Sequence, residues 1–377
     1  HWYFFTQHII SLETPNFFAA ARTVARAVNS LPIALRASYF PHGAYPEGPM
    51  YWSYGTDFTA VLLGVLESAL GTEFGLSDAS GFAETGEYML AVRAPGGLAF
   101  NYADSVSGIG IGFAQVFLAA HFNRPEWITE SMREELVATC AARRGDVSGE
   151  GNRMLPLVMI YLRGAAEADR LPPLTYFSGN EAAVPVAMFR TDWSRDAGYL
   201  GVKAGSPTWA HGHMDGGAFV YEADGVRWAE EIGWNNYNNF LSRGMKLWNF
   251  AQDSERWNIF CIGPFSHNIL RIDGQMQIVK NKAYIVECTE CTAVVELSDL
   301  YEGQADRVTR TFRLNPDRSV EITDRVAGVK PGSVLRWQML TGAVPAVSDS
   351  GVVLSSGGKR LELSVDSPVP GVWSSVA

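Results

Sequence analysis

Cysteine is scarce in this sequence, and no long apolar run occurs. Of the four cysteines in 377 residues, Cys288 and Cys291 form a single Cys-x-x-Cys pair. A zinc knuckle needs a second such pair, and a thioredoxin-like motif needs the start of a helix, whereas the surrounding VECTECTAVVEL is typical of a strand. We therefore expect structural roles for these thiols. Because no apolar segment approaches the roughly 18 residues of a membrane span, we expect no insertion into a membrane.

Basic residues are in the minority. The chain has 30 lysines and arginines against 40 aspartates and glutamates, a net charge of −10 at pH 7. Without a basic stripe, nucleic acid is excluded as a partner. A small anionic substrate remains possible, because a local cluster of basic residues or a metal ion can override the overall charge. The chain starts at His1 with neither a methionine nor a signal sequence, so we expect a processed or truncated form.

Aromatic residues, in contrast, are abundant. They make up 12% of the chain and include 11 tryptophans. Such an excess is found in proteins that stack sugar rings, and equally in large all-β cores. The length is sufficient for two domains.

The first part of the chain has helical periodicity. Apolar residues recur at helical spacing in four segments: PNFFAAARTVARAVNSLPIALRAS, DFTAVLLGVLESALG, PEWITESMREELVATCAARR and RMLPLVMIYLRGAAEADR. In the second segment, Asp57 is placed near the helix start and Gly71 near its end. Paired helices of this kind predict a helical toroid or bundle over residues 1–172. The proline pair and polar stretch that follow predict a linker over residues 173–185.

The second part alternates with a period of two. RVTRTFRL and SVEITDRV are joined by NPDR as the strands of a hairpin would be. Further alternating stretches are PVAMFRTDW, GAFVYEADGVRWAEE, HNILRIDGQ, AYIVEC and TAVVEL. This spacing predicts a large antiparallel β-sandwich over residues 186–377. The fold class is therefore α+β with more than one domain.

Two histidines stand one residue apart in WAHGHMDGGAF. In an extended strand, His211 and His213 would point to the same face, which suits a metal ion, a proton-transfer site or both. Glu230, Glu231 and His267 follow, and two histidines with one carboxylate are an ordinary zinc ligand set. The metallo-β-lactamase pattern HxHxDH lacks its last ligand here, and the cupin pattern lacks its glutamate.

A second stretch, YPEGPMYWSYGTDF, combines Glu47, Tyr51, Trp52 and Tyr54 with prolines and glycines. The pattern predicts an aromatic loop ahead of a helix. Such a loop could have only a packing role, filling space in the core. A tyrosine in it could also act as a general acid or base when its surroundings lower its pKa.

The order of GAYPEGPMYWSYGT, NYADS, HGHMDGGAFVYEADGVRWAEEIG and SHNILRIDG closely resembles the heparinase II/III-like polysaccharide lyases, over about residues 16–325. Members of this family act on uronic-acid polysaccharides such as heparan sulfate and alginate. The resemblance implies an incomplete α/α toroid followed by a β-sandwich, and a periplasmic or secreted protein. It also implies an anionic polysaccharide or oligosaccharide as the partner, and a homodimer is possible.

The resemblance also assigns residues. Tyr51 and His211 correspond to the catalytic pair. His213, Glu231 (Glu230 if the register slips by one) and His267 correspond to the ligands of a structural zinc ion. Two departures affect the metal site, since this chain has glutamate where aspartate is more common and Ala210 where asparagine usually precedes HGH.

Substrate contacts are expected from Glu47, Trp52, Tyr54 and Tyr102, with packing as an equal alternative for the aromatic residues. Arg190 or Lys203 could add local positive charge.

In the family, an asparagine or histidine more than fifty residues before the tyrosine neutralises the substrate carboxylate. Counting back from Tyr51 passes the start of this chain, so we expect part of the active site to lie upstream. His1 is too close in sequence to take that role. The ending VPGVWSSVA resembles a sandwich cut before its last strands.

The implied reaction is β-elimination at a uronic acid. A base removes the C5 proton, an acid protonates the departing O4, and a neutralised carboxylate stabilises the intermediate. In one stereochemistry His211 is the base and Tyr51 the acid, and in the other Tyr51 does both. The alternatives are a uronate C5-epimerase on the same scaffold, a metal-dependent hydrolase, and a catalytically inactive carbohydrate-binding protein.

Overall fold

The computed structural model describes residues 17–142, 154–163, 168 and 170–376. His1 lies outside the described residues. Within the described part, the first half of the chain is helical, with these α-helices: α1 (Phe17–Tyr39), α2 (Gly48–Leu70), α3 (Thr85–Val92), α4 (Phe113–His121), α5 (Glu130–Ala142) and α6 (Leu155–Arg163). No helix of the described residues is long and apolar enough to cross a bilayer.

Helix α2 begins earlier than the sequence suggests. It starts at Gly48, so the aromatic stretch predicted as a loop forms its first two turns, and Asp57 lies within the helix. Proline is tolerated at this position because the first backbone N–H groups of a helix have no intrahelical acceptor. The predicted end is confirmed, since Gly71 adopts a left-handed φ of 68° that terminates the helix.

The second half of the chain contains antiparallel sheets, one short α-helix, α7 (Asn238–Leu241), and two 3₁₀-helices, Glu255–Asn258 and Ser298–Tyr301. The strands are β1 (Thr175–Phe177), β2 (Val186–Arg190), β3 (Tyr199–Lys203), β4 (Phe219–Ala223), β5 (Val226–Ala229), β6 (Leu270–Ile272), β7 (Tyr284–Cys288), β8 (Thr292–Glu296), β9 (Arg307–Leu314), β10 (Val320–Ala327), β11 (Leu335–Trp337), β12 (Val344–Ser348), β13 (Gly351–Ser356) and β14 (Lys359–Leu363). They form sheets in the orders β1-β2-β3-β4-β5, β10-β9-β8-β7, β11-β6 and β12-β13-β14.

Several details of the strand predictions can be checked. The hairpin joined by NPDR is confirmed, with Val320 paired to Leu314. The predicted linker is wrong in part, because β1 lies within it and pairs with β2 as the edge of the five-stranded sheet. The Cys-x-x-Cys stretch is a turn between two paired strands rather than one strand, with Cys288 ending β7 and Cys291 preceding β8. Both thiols are free.

The five-stranded sheet is covered on both faces. On β2, Val186 and Met188 belong to the apolar core shared with the helices. Their neighbours Ala187 and Phe189 belong to a second core, shared with the four-stranded sheet. Since alternate residues of a strand point to opposite faces, every residue of β2 is buried. The sheet therefore fixes the helical part against the part of the chain that carries the histidine motif.

Candidate active site and metal centre

The histidine motif lies in the loop between β3 and β4, so the predicted flanking strands are confirmed. The motif itself is not a strand. His211 has a φ of 60°, in the left-handed region that residues other than glycine seldom adopt. Gly212 is required by close packing, because a Cβ atom there would lie 2.7 Å from the carbonyl oxygen of Pro207. The strand argument for two imidazoles on one face therefore does not apply, and another residue brings them together.

That residue is Asp104, which the loop between α3 and α4 carries into the site. Its Oδ2 lies 3.1 Å from Nδ1 of His211, and its Oδ1 lies 2.9 Å from Nε2 of His213. Burial alone would raise the pKa of this carboxyl group, but hydrogen bonds from the two histidines outweigh it and hold the pKa below its usual range. An ionised Asp104 accepts a hydrogen bond from the N–H group at Nδ1 of His211. Nε2 of that ring is then the nitrogen able to take a proton.

Tyr51 lies directly over this histidine. The two rings are stacked, with centroids 4.1 Å apart and an interplanar angle of 24°. The Tyr51 hydroxyl lies 2.9 Å from the hydroxyl of Tyr237. The Tyr237 hydroxyl in turn donates to Oδ2 of Asp104 at 2.9 Å. Because a phenol has one proton, Tyr237 accepts the hydrogen bond from Tyr51, and Tyr51 is the donor.

Both phenols keep their protons near neutral pH. Burial is the main cause that raises the pKa of Tyr51 above its usual value of 10.0, partly offset by the hydrogen bond with Tyr237. Burial and the Asp104 charge raise the pKa of Tyr237 far more. The pair Tyr51 and His211 thus combines a protonated acid with an imidazole whose second nitrogen can act as a base.

Two of the predicted substrate residues lie on the same face of α2 as Tyr51. Glu47 immediately precedes the helix, and Tyr54 follows three residues after Tyr51, so the three share a face. Glu47 is half-buried, and burial raises the pKa of its carboxyl group, against a smaller lowering by His211. Tyr54 is 47% exposed. Both positions are compatible with ligand contact.

The other two predicted substrate residues belong to the core, which contradicts a stacking role. Trp52 is fully buried and donates from Nε1 to the Thr85 hydroxyl at 2.7 Å. Tyr102 is also fully buried and donates to the Tyr45 carbonyl oxygen at 2.6 Å. Neither ring has a face available to a sugar, so packing accounts for both.

The suggested cations are also buried and engaged elsewhere. Arg190 donates to the backbone carbonyl of Arg93 at 2.6 Å. Lys203 forms a buried ion pair with Asp215. Their hydrogen-bond and ion-pair partners therefore lie outside the pair Tyr51 and His211.

The three predicted metal ligands come together. One ligand atom from each of His213, Glu231 and His267 lies within 4.8 Å of the others, and all three residues are buried. Nδ1 of His213 and Nε2 of His267 have no hydrogen-bond partner, a costly arrangement for buried imidazole nitrogens. Glu230 is turned away, with its carboxylate beside Gly342. Two unpartnered nitrogens and a carboxylate therefore fit a zinc ion.

Asp104 and Tyr237 had no assigned role in the sequence interpretation. Asp104 is part of the NYADS stretch, which contributed to the family resemblance and could have marked it. Tyr237 lies in WNNYNN, which has no pattern that distinguishes it from an exposed loop. The hydrogen bond between the two residues spans 133 positions, a distance over which sequence spacing is not informative.

The family described as Heparinase II/III-like, C-terminal, matches residues 185–373. The chain therefore belongs to the heparinase II/III-like family. No curated protein matches the sequence.

Solved structures of heparinases have a similar fold. A mutant of heparan sulfate lyase HepC from Pedobacter heparinus matches with a TM-score of 0.58 at 13% identity, covering 94% of this chain and 49% of that one. The heparinase III BT4657 gene product matches with a TM-score of 0.58 at 15% identity, covering 93% and 48%. A further heparinase III structure gives a TM-score of 0.59 at 13% identity, covering 94% and 51%. The chain spans about half the length of these structures, and the predicted combination of helices with antiparallel sheets is confirmed.

Proposed function

We propose that this chain carries the catalytic pair of a polysaccharide lyase, which cleaves a uronic-acid-containing polysaccharide by β-elimination. The observation that carries the proposal is the stacking of Tyr51 on His211, with both side chains held by one hydrogen-bonded network through Tyr237 and Asp104. The family membership and the heparinase-like fold support the same class of reaction.

The roles follow from the proton positions. Nε2 of His211 takes the C5 proton of the uronate, while Nδ1 donates to Asp104. The electron pair of the C5–H bond forms the C4–C5 double bond as the C4–O4 bond breaks, and Tyr51 donates its proton to O4. Each proton transfer contributes roughly 10²–10⁴-fold to the rate. The products are a saccharide with a free hydroxyl and a 4,5-unsaturated uronate.

Asp104 and Tyr237 are positioning residues in this scheme. Asp104 fixes the tautomer and orientation of His211, and Tyr237 orients the Tyr51 hydroxyl. Tyr51 and Asp104 come from the helical part, whereas His211 and Tyr237 come from the part with the sheets. We infer that the helices belong to an incomplete α/α toroid, the sheets to a β-sandwich, and the active site to the boundary between them.

We further propose a structural zinc ion held by His213, Glu231 and His267. Its chemistry would be a cross-link between the β3–β4 loop, the end of β5 and the segment before β6. Asp104 would support it by accepting a hydrogen bond from Nε2 of His213, the arrangement common behind metal-bound histidines.

The test is a polysaccharide panel read by ultraviolet absorbance of the unsaturated uronate. The chain, and any longer product of its gene, are mixed with heparan sulfate, chondroitin and dermatan sulfates, hyaluronan and alginate. A rising signal on one polymer, lost in Tyr51→Phe and His211→Ala and retained in the surface control Tyr284→Phe, supports the lyase. A flat signal on every polymer with C5 exchange of solvent deuterium indicates an epimerase instead. A flat signal with neither exchange nor chelator-sensitive hydrolysis overturns the enzymatic proposal.

A further inference from the structure

The segment between β5 and the short 3₁₀-helix Glu255–Asn258 exposes apolar surface beside the site. Four large apolar side chains in it are between 37% and 46% exposed: Ile232, Trp234, Leu241 and Trp248. Exposed tryptophan is unfavourable in water, and exposed apolar patches mark interaction sites. The segment therefore calls for an explanation beyond folding.

The two indoles of this segment contact the catalytic network directly. The Trp248 ring meets His211 edge to face, with centroids 5.2 Å apart and an interplanar angle of 86°. It meets Tyr237 in the same manner at 5.3 Å. Trp234 packs against Tyr237 at 6.2 Å. One tryptophan thus lies against the catalytic histidine, and both lie against the tyrosine that orients the acid.

We propose that Trp234 and Trp248 form a stacking subsite for the sugar rings of a uronate-containing oligosaccharide next to the catalytic pair. The proposal deepens the proposed function and rests on it. An indole offers a broad, flat apolar face, which matches the C–H face of a pyranose ring. The sequence suggested Trp52 and Tyr102 for stacking, but both are buried in the core. Trp234 and Trp248 take that role instead.

The subsite is rigidly attached to the catalytic loop through Arg256. This fully buried guanidinium donates to the carbonyl oxygen of Leu247 at 2.6 Å and to that of Gly212 at 2.7 Å. It therefore ties the residue before Trp248 to the glycine between the two histidines. A stacking residue held in this way keeps its position relative to the reacting atoms, as a productive subsite requires.

The surroundings of the indoles fit an anionic saccharide. Exposed amides that can bond sugar hydroxyls surround Tyr237 in sequence: Asn235, Asn236, Asn238 and Asn239. Arg243 and Lys246 are exposed on the same segment. Their charges complement carboxylate or sulfate groups in a chain whose net charge is −10. A face intended for an apolar protein partner would not carry this density of amides and cations.

The test measures binding without turnover. In a Tyr51→Phe background, which keeps the ring stacked on His211, calorimetry measures the affinity for octasaccharides prepared from each polymer of the panel. We expect Trp248→Ala and Trp234→Ala each to weaken binding of the recognised octasaccharide about tenfold, or about 1.4 kcal/mol. Phe74→Ala, which removes a ring 49% exposed in the α2–α3 connection, is the matched control and should leave the affinity unchanged. In the active chain, Trp248→Ala should raise KM more than it lowers kcat.

Affinity within twofold of the parent in the Trp234→Ala/Trp248→Ala double variant, with an unchanged melting temperature, overturns the subsite. So does failure of the parent to bind any octasaccharide. Loss of self-association in the double variant, with saccharide affinity retained, would instead assign the patch to contact between copies. The outcomes are separable from those of the lyase proposal. If the variants lose octasaccharide binding and the chain yields no unsaturated product, the subsite is retained and the lyase proposal is overturned. If the chain yields unsaturated product and the variants keep their affinity, the lyase proposal is retained and the subsite is overturned.

Discussion

The two histidines of the HGH loop are one residue apart, yet they occupy opposite environments. The side chain of His211 is 17% exposed and is stacked against Tyr51, whereas that of His213 is fully buried. Asp104 contacts both, one carboxylate oxygen to each ring. The remaining nitrogen of His211 can exchange protons with a ligand, and Nδ1 of His213 is enclosed without a partner. The same side chain therefore suits acid–base chemistry in one position and metal ligation in the other.

In the proposed function, the environment of each histidine, rather than its residue type, therefore decides its role. This difference also implies that the two positions fail differently when changed. Loss of His211 should affect turnover, and loss of His213 should affect metal content and folding. Loss of the Asp104 carboxylate, which contacts both rings, should affect turnover as well as metal content and folding.

The largest expected effect is on turnover at the partly exposed histidine, His211. His211→Ala removes the base and should lower kcat by roughly 10²–10⁴-fold, because one positioned proton transfer contributes about that much. The melting temperature should change little, since this ring is not fully buried. Initial rates of unsaturated uronate formation and a thermal melt measure the two quantities. A variant with normal turnover would remove His211 from the chemistry.

The next effect concerns the shared carboxylate. Asp104→Asn keeps the shape but replaces one carboxylate oxygen by an NH2 group and removes the charge, so only one of the two rings can keep its hydrogen-bond acceptor. We expect a fall in kcat and about a 10–100-fold weaker zinc affinity, the usual result of removing a carboxylate behind a metal-bound histidine. Zinc affinity is measured by competition with a chromophoric chelator, and turnover by the lyase assay. Unchanged turnover together with unchanged zinc affinity would show that Asp104 positions neither histidine.

How much of the fold and of the candidate site could be predicted from the sequence depends on the kind of contact that holds each residue. Tyr51, His211 and the three proposed metal ligands could be named because short motifs carry them. Helix and strand types also followed from periodicity, but the start of α2 did not, because proline and glycine in its first turn resemble a loop. Trp52 and Tyr102 were misassigned because composition cannot distinguish a buried aromatic ring from an exposed one. Tyr237 was missed because its partners, Asp104 and Tyr51, come from distant segments.

A smaller effect is expected at the buried histidine. His213→Ala leaves an oxygen of buried Asp104 without its partner, which costs about 1–3 kcal/mol of unfolding free energy. Zinc should no longer bind, and chelation should then leave the melting temperature unchanged. The parent protein should lose stability under the same chelator. Urea unfolding with and without chelator measures this, and a parent insensitive to chelation would argue against a structural ion.

The smallest expected effect is a shift in pH dependence at the acid. Burial raises the pKa of Tyr51, and the hydrogen bond with Tyr237 lowers it in part. As general acid, Tyr51 works while protonated, so turnover should fall as the pH rises through its pKa, above the usual value of 10.0. Tyr237→Phe removes the lowering contribution and should move this alkaline limb to still higher pH, while kcat falls about tenfold because the hydroxyl loses its orientation. His211→Ala offers no such test, since its rate is too low, and Tyr284→Phe, which changes a phenol 39% exposed outside the network, serves as the matched control. A limb that moves to lower pH in Tyr237→Phe would mean that the hydrogen bond with Tyr237 does not lower the pKa of Tyr51.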